Sequence, residues 1–144
     1  MIVALDSSCI IAALCSWHEA HKAVRVRLSI AVGQDRLVVP GHALVECYAV
    51  LTRLPPPHRL TPEVTRQALH GLVEDNASVT SLPALSYWSL LDRAARHGTA
   101  GGAIYDALIL EAARRAKADE LWTLNARHFM RLDHEPMRIA NPAR

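Results

Sequence analysis

Three carboxylates occupy positions where an acid is costly. Asp6 ends the apolar run Ile2-Val3-Ala4-Leu5. Glu46 is the only charge between His42 and Thr52, and Asp106 the only one between His97 and Glu111. A carboxylate among apolar neighbours needs a hydrogen-bonding partner, a counter-charge or a metal. Each acid has a structural account of its own. Ser7 or Ser8 reads as the cap of the helix that follows, but Asp6 could cap it instead, and Asp106 could favour a helix N-terminus through the dipole. Glu46 and Arg53 are two helical turns apart, too far for a direct pair on one helix. Taken together, three acids gathered near strand ends repel one another unless a cation holds them. An all-oxygen donor set suits a hard divalent ion, Mg²⁺ or Mn²⁺.

The elements that would position these acids follow from hydrophobic periodicity and its punctuation. Short runs at 2–5, 37–39, 78–82, 120–124 and 137–140 read as strands, of which 2–5 is continuously apolar and buried. Between them, 9–15, 19–30, 42–54, 61–76, 84–97 and 103–117 read as helices. In 19–30, Ala23, Val26 and Ile30 suggest the buried face. Gly33-Gln34-Asp35 reads as a turn, and Pro55-Pro56-Pro57 stops the helix before it. Thr61-Pro62 has the pattern of a cap followed by proline at the first helical position, and Gly98 that of a helix-ending glycine. Strands alternating with helices predict a three-layer α/β/α domain around a parallel sheet of four to five strands. Asp6 then lies at the carboxyl end of the first strand, where open parallel sheets place their ligands.

Composition bounds the function. A chain of 144 residues suits a single domain over 1–144, and 51% hydrophobic with 21% charged residues excludes disorder. No apolar run has membrane-spanning length, and Met1 leads into a strand-like run rather than a signal peptide. Lys plus Arg is 16 against 14 acids, a net +2 that does not mark a nucleic-acid binder. Cys9, Cys15 and Cys47 lack zinc spacing and read as buried free thiols in a reducing cytoplasm.

Four stretches carry a resemblance that spans nearly the whole chain. They are Ile-Val-Ala-Leu-Asp-Ser-Ser at 2–8 and Ala-Leu-Val-Glu-Cys-Tyr-Ala-Val-Leu-Thr-Arg-Leu at 43–54, then Ala-Ile-Tyr-Asp-Ala-Leu-Ile-Leu-Glu-Ala-Ala at 103–113 and Leu-Trp-Thr-Leu-Asn-Ala-Arg-His-Phe at 121–129. In order and separation the chain resembles the PIN-domain ribonucleases, above all the VapC-type toxins of bacterial toxin–antitoxin pairs. The resemblance implies a metal-dependent endoribonuclease, with Asp6, Glu46 and Asp106 as acidic metal ligands. Ser8 matches a small polar position two residues after the first acid. The resemblance also implies an RNA substrate, a homodimer and a VapB-type antitoxin laid across the active-site groove. The chain departs from the family at the fourth acidic position, where Asn125 and His128 stand in the loop after the fourth strand. Asn offers a carbonyl oxygen without charge. That departure supports a rival reading, a catalytically weak PIN-like module that binds RNA or protein.

Other candidates give less. Trp17-His18-Glu19-Ala20-His21 lacks zincin spacing. Glu111 and Arg115 read as an exposed helical pair, and Arg114, Arg115 and Lys117 as a solvated helix end. Arg127, beside the predicted site, is a candidate phosphate contact. No cysteine stands in a nucleophile motif.

Overall fold

The computed structural model describes residues 1–144. Five strands form: β1 (Ile2–Leu5), β2 (Arg36–Pro40), β3 (Ala77–Thr80), β4 (Glu120–Trp122) and β5 (Arg138–Ala140). They pair in the order β3-β2-β1-β4-β5, and every pairing is parallel. The helices are α1 (Ser7–Leu14), α2 (His21–Gln34), α3 (Gly41–Arg53), α4 (Pro62–Leu69), α5 (Ser86–His97), α6 (Ala103–Arg115) and α7 (Ala126–Met130). No helix is long and apolar enough to cross a membrane.

The period-2 geometry of a strand divides the core into two layers. Val3, Leu5, Leu37, Val39 and Trp122 join Ile10 of α1 and Val24 and Leu28 of α2 in one cluster. The alternate residues Ala4, Val38 and Leu121 join Ile109 and Leu110 of α6 and Phe129 of α7 in the other. Both faces of the inner strands are therefore covered, which is why their sequences are continuously apolar rather than alternating.

The strand order also fixes where a site can form. From β1 the chain builds outward on one side through β2 and β3, then returns to the other side of β1 with β4. The carboxyl ends of β1 and β4 thus flank the point where the winding reverses, the crevice in which parallel sheets bind ligands. Asp6 directly follows β1, and Thr123 directly follows β4.

Several boundaries differ from the sequence expectation for identifiable reasons. α1 begins at Ser7, so Asp6 holds the N-cap position in place of either serine. α2 runs on through Gly33 and Gln34, where a turn was expected, and stops at Asp35. Its buried stripe is Val24, Leu28 and Ala31, while Val26 and Ile30 point to solvent. The helix carries two apolar stripes, and the one containing leucine packs on the Val3–Leu5 face. The helix expected over 61–76 opens as anticipated, with the Thr61 hydroxyl accepting from Val64 N–H at 3.2 Å, but turns π-helical over His70–Glu74. Gly98 ends α5 at φ 67, the left-handed conformation that glycine adopts without a Cβ penalty. Glu111 is not an exposed pair: it is buried, 2.8 Å from Arg93 of α5 and 3.5 Å from Arg115. Arg114 likewise turns inward and donates to the Asp133 carbonyl rather than lying on a solvated face.

Candidate active site

Asp6 is 3% exposed, and its backbone (φ −76, ψ 158) has the extended conformation of an N-cap. Yet its carboxylate makes no capping bond. Oδ2 instead accepts from the Ser8 hydroxyl at 2.8 Å and from the Thr123 hydroxyl at 2.8 Å. Oδ1 faces the Ser7 hydroxyl at 3.4 Å. The same hydroxyls accept in turn: Leu124 N–H donates to Ser8 Oγ at 2.9 Å, and Asn125 N–H to Thr123 Oγ1 at 3.0 Å. This lattice joins the end of β1 to the end of β4. It removes the capping account of Asp6, because its acceptor atoms are turned into the crevice and not onto the helix N-terminus.

Glu46 projects from α3, where the Ser7 hydroxyl donates to its Oε1. His42, one turn earlier, brings Nε2 to 3.8 Å from Oε2. No arginine pairs with it, so the Arg53 account is also removed. Asp106 stands in the first turn of α6, with its side chain 27% exposed and His128 Nδ1 of α7 at 3.6 Å. Burial raises the Asp106 carboxyl above its ordinary range, and the negative charges of Asp6 and Glu46 raise it further. His128 and His42 oppose them. Asp6 and Glu46 thus lie within electrostatic reach of Asp106. The three acids are not closed around one point: no three His, Cys, Asp or Glu side chains are gathered tightly enough to surround an ion.

Asn125 is exposed and takes the N-cap position of α7 without capping it. It lines an open groove of about 890 Å³ together with Ser7, Ser8 and Glu46. Arg127 is exposed on α7 and lies outside that lining. Cys9, Cys15 and Cys47 are all free and buried. Burial pushes each thiol up, away from a nucleophilic thiolate.

Ser7, Thr123 and His42 contact the candidate acids but have no site role in the sequence reading, and His128 enters it only as an occupant of the fourth acidic position. Thr123 had a signal, a polar residue closing an apolar strand just as Asp6 does. His42 had one too, at i−4 from Glu46 on the same helix face. His128 meets Asp106 through tertiary packing, which no local spacing announces. His42 also stacks on Tyr105, with ring centroids 5.0 Å apart and planes 2° from parallel, which ties α3 to the start of α6.

The PIN domain family model matches residues 3–135, a span that contains all three acids and Asn125. The chain belongs to the PIN-domain family. This PIN-domain chain is 41% identical over 117 residues to Ribonuclease VapC40 of Mycobacterium tuberculosis, covering 81% of the chain and 82% of that relative. It is 39% identical over 126 residues to Ribonuclease VapC27 of the same organism, covering 87% and 85%. Those relatives place it in the VapC branch of the PIN-domain family. The fold agrees: VapBC2 from Rickettsia felis, solved bound to a DNA fragment from its promoter, superposes with a TM-score of 0.71 at 17% identity over 98% of each chain.

Proposed function

We propose that this PIN-domain chain is a metal-dependent endoribonuclease, the toxin of a toxin–antitoxin pair. The reading rests on its similarity to the VapC ribonucleases, and one observation carries the chemistry. Asp6 and Glu46 lie within electrostatic reach of Asp106, and no arginine or lysine forms an ion pair with any of the three. Asp6 and Glu46 raise the proton affinity of Asp106, the mark of a site of unmet negative potential. Their donor set is all oxygen, the kind that Mg²⁺ and Mn²⁺ take. Asp6, Glu46 and Asp106 would hold the ion, with the Asn125 amide oxygen as a neutral donor beside them. An ion held there would supply a water of lowered pKa and positive charge beside the scissile phosphodiester.

The chain's own residues do the rest. Ser8 and Thr123 fix the Asp6 carboxylate by two hydrogen bonds, so the acid keeps one orientation when the site fills. Ser7 holds Glu46 toward Asp6, since its hydroxyl faces both acids. His42 and His128 place positive charge near the acids when protonated, easing their repulsion in the metal-free protein. Arg127, exposed two residues after Asn125, would contact RNA phosphate. A VapB-type antitoxin is the expected protein partner. The exposed apolar side chains Leu85, Tyr87, Trp88 and Leu91 around α5 offer a surface for pairing two copies.

The test is cleavage of RNA by purified protein, free of antitoxin, with and without Mg²⁺ or Mn²⁺. Cleavage is expected only with the metal, stops on chelation, and is lost in Asp6→Asn and Asp106→Asn. Full activity in EDTA, or in either variant, removes the metal-site assignment. RNA binding without any cleavage favours the non-catalytic module that Asn125 also suits.

A further inference from the structure

The groove that Glu46 lines, and from which Asp6 and Asp106 are absent, has a second set of lining residues with no part in the chemistry above. Besides Glu46, Ser8 and Asn125 it is lined by Arg53 and Arg144. Glu46 and Arg53 are two turns apart on α3, hence on one face and separated by about 10 Å along the helix axis. Five other arginines are paired to acids: Arg66, Arg93, Arg114, Arg115 and Arg138. Arg53 and Arg144, like the remaining arginines, have no such partner, and of these unpaired arginines they are the two that line the groove. The lining is not uniformly basic, because Glu19 and Glu46 share it. A mixed lining disfavours a broadly acidic protein surface and suits separate contacts to individual anions. A guanidinium fork matches a phosphate in this way.

We propose that Arg53 and Arg144 form a phosphate-binding subsite that holds the RNA backbone beside the bond to be cut. The inference rests on the ribonuclease reading and adds to it the direction in which the strand runs away from the acids, along α3. Contacts of this kind fix register without reading bases. Both arginines are exposed, so replacing them leaves the core untouched.

The experiment measures binding of a short single-stranded RNA to the Asp6→Asn protein in EDTA, as a function of salt. Each phosphate contact to a single strand contributes about 0.7 to the slope of log K against log salt. Arg53→Gln and Arg144→Gln, made separately in that background, should each reduce the slope by about 0.7. Arg96→Gln, an exposed arginine of α5 outside the groove, should leave it unchanged. In the otherwise native protein both groove variants should raise KM with kcat nearly unaltered. Slopes equal to that of the parent protein overturn the subsite. So do equal slopes with weakened binding of an acidic peptide, which would assign the groove to a protein partner. If the slopes fall as expected but no variant or metal condition yields cleavage, the subsite stands and the ribonuclease reading fails.

Discussion

At the scale of single residues, the site is a balance between acids and the few groups able to steady them. Asp106 carries the clearest sign of it. Burial first, then Asp6 and Glu46, raise its carboxyl above the ordinary range, and His128 and His42 only partly oppose them. In metal-free protein the folded state therefore binds this proton more tightly than the unfolded chain does. A raised acid favours the fold below its unfolded pKa, and that advantage is lost as pH rises through the folded one. Asp106→Asn removes this contribution while keeping the shape. Chemical unfolding in EDTA should therefore show the variant gaining on the native protein as pH rises from about 4 through the upper carboxyl range. A difference independent of pH would mean that Asp106 feels no net field from its neighbours.

At the scale of elements, the strands and the long helices were legible because each obeys a strong local rule. Continuous apolar runs marked the inner strands, Thr61-Pro62 marked the start of α4, and Gly98 marked the end of α5. Asp6, Glu46 and Asp106 stood out because acids break those same apolar runs. What was not legible depends on tertiary choice. The face that α2 buries was decided between two apolar stripes by the sheet it meets. The burial of Glu111 was decided by Arg93 on a different helix. α7 was missed because Ala126–Met130 is too short to form on its own propensity. It is held by Phe129, 1% exposed in the cluster with Leu121 and Ile109. Phe129→Ala should therefore cost about 3–5 kcal/mol in urea unfolding. Because α7 carries His128 to Asp106, the variant should also weaken Mn²⁺ binding without touching a ligand. A loss below about 1 kcal/mol would show that α7 is not anchored by this ring.

At the scale of the whole molecule, the sheet supplies stability that its carboxyl edge partly gives back. Two apolar layers cover the inner strands, while at the carboxyl edge Asp6, after β1, and Glu46, on α3, act against the charge of Asp106 on α6. A cation binding only the folded state shifts unfolding by mass action. At a hundred times its dissociation constant, Mn²⁺ adds about 2.7 kcal/mol, which for a chain of this size raises Tm by about 5–10 °C. Glu46 tests whether the edge is built for such an ion. It has no arginine partner, so Glu46→Gln breaks no buried ion pair, and the amide oxygen still accepts from Ser7. Removing its charge relieves repulsion on Asp106, so the metal-free variant should be as stable as the native protein or more so. With one anionic ligand gone, Mn²⁺ should raise its Tm much less. Had Glu46 been a structural partner of a buried cation, both signs would reverse: the variant would lose roughly 3–5 kcal/mol and the metal would matter little to either protein. Melting curves of both proteins, with and without Mn²⁺, separate the two cases. A strongly destabilised metal-free variant, joined to a native Tm that ignores Mn²⁺, would show that the acids serve the fold and hold no ion.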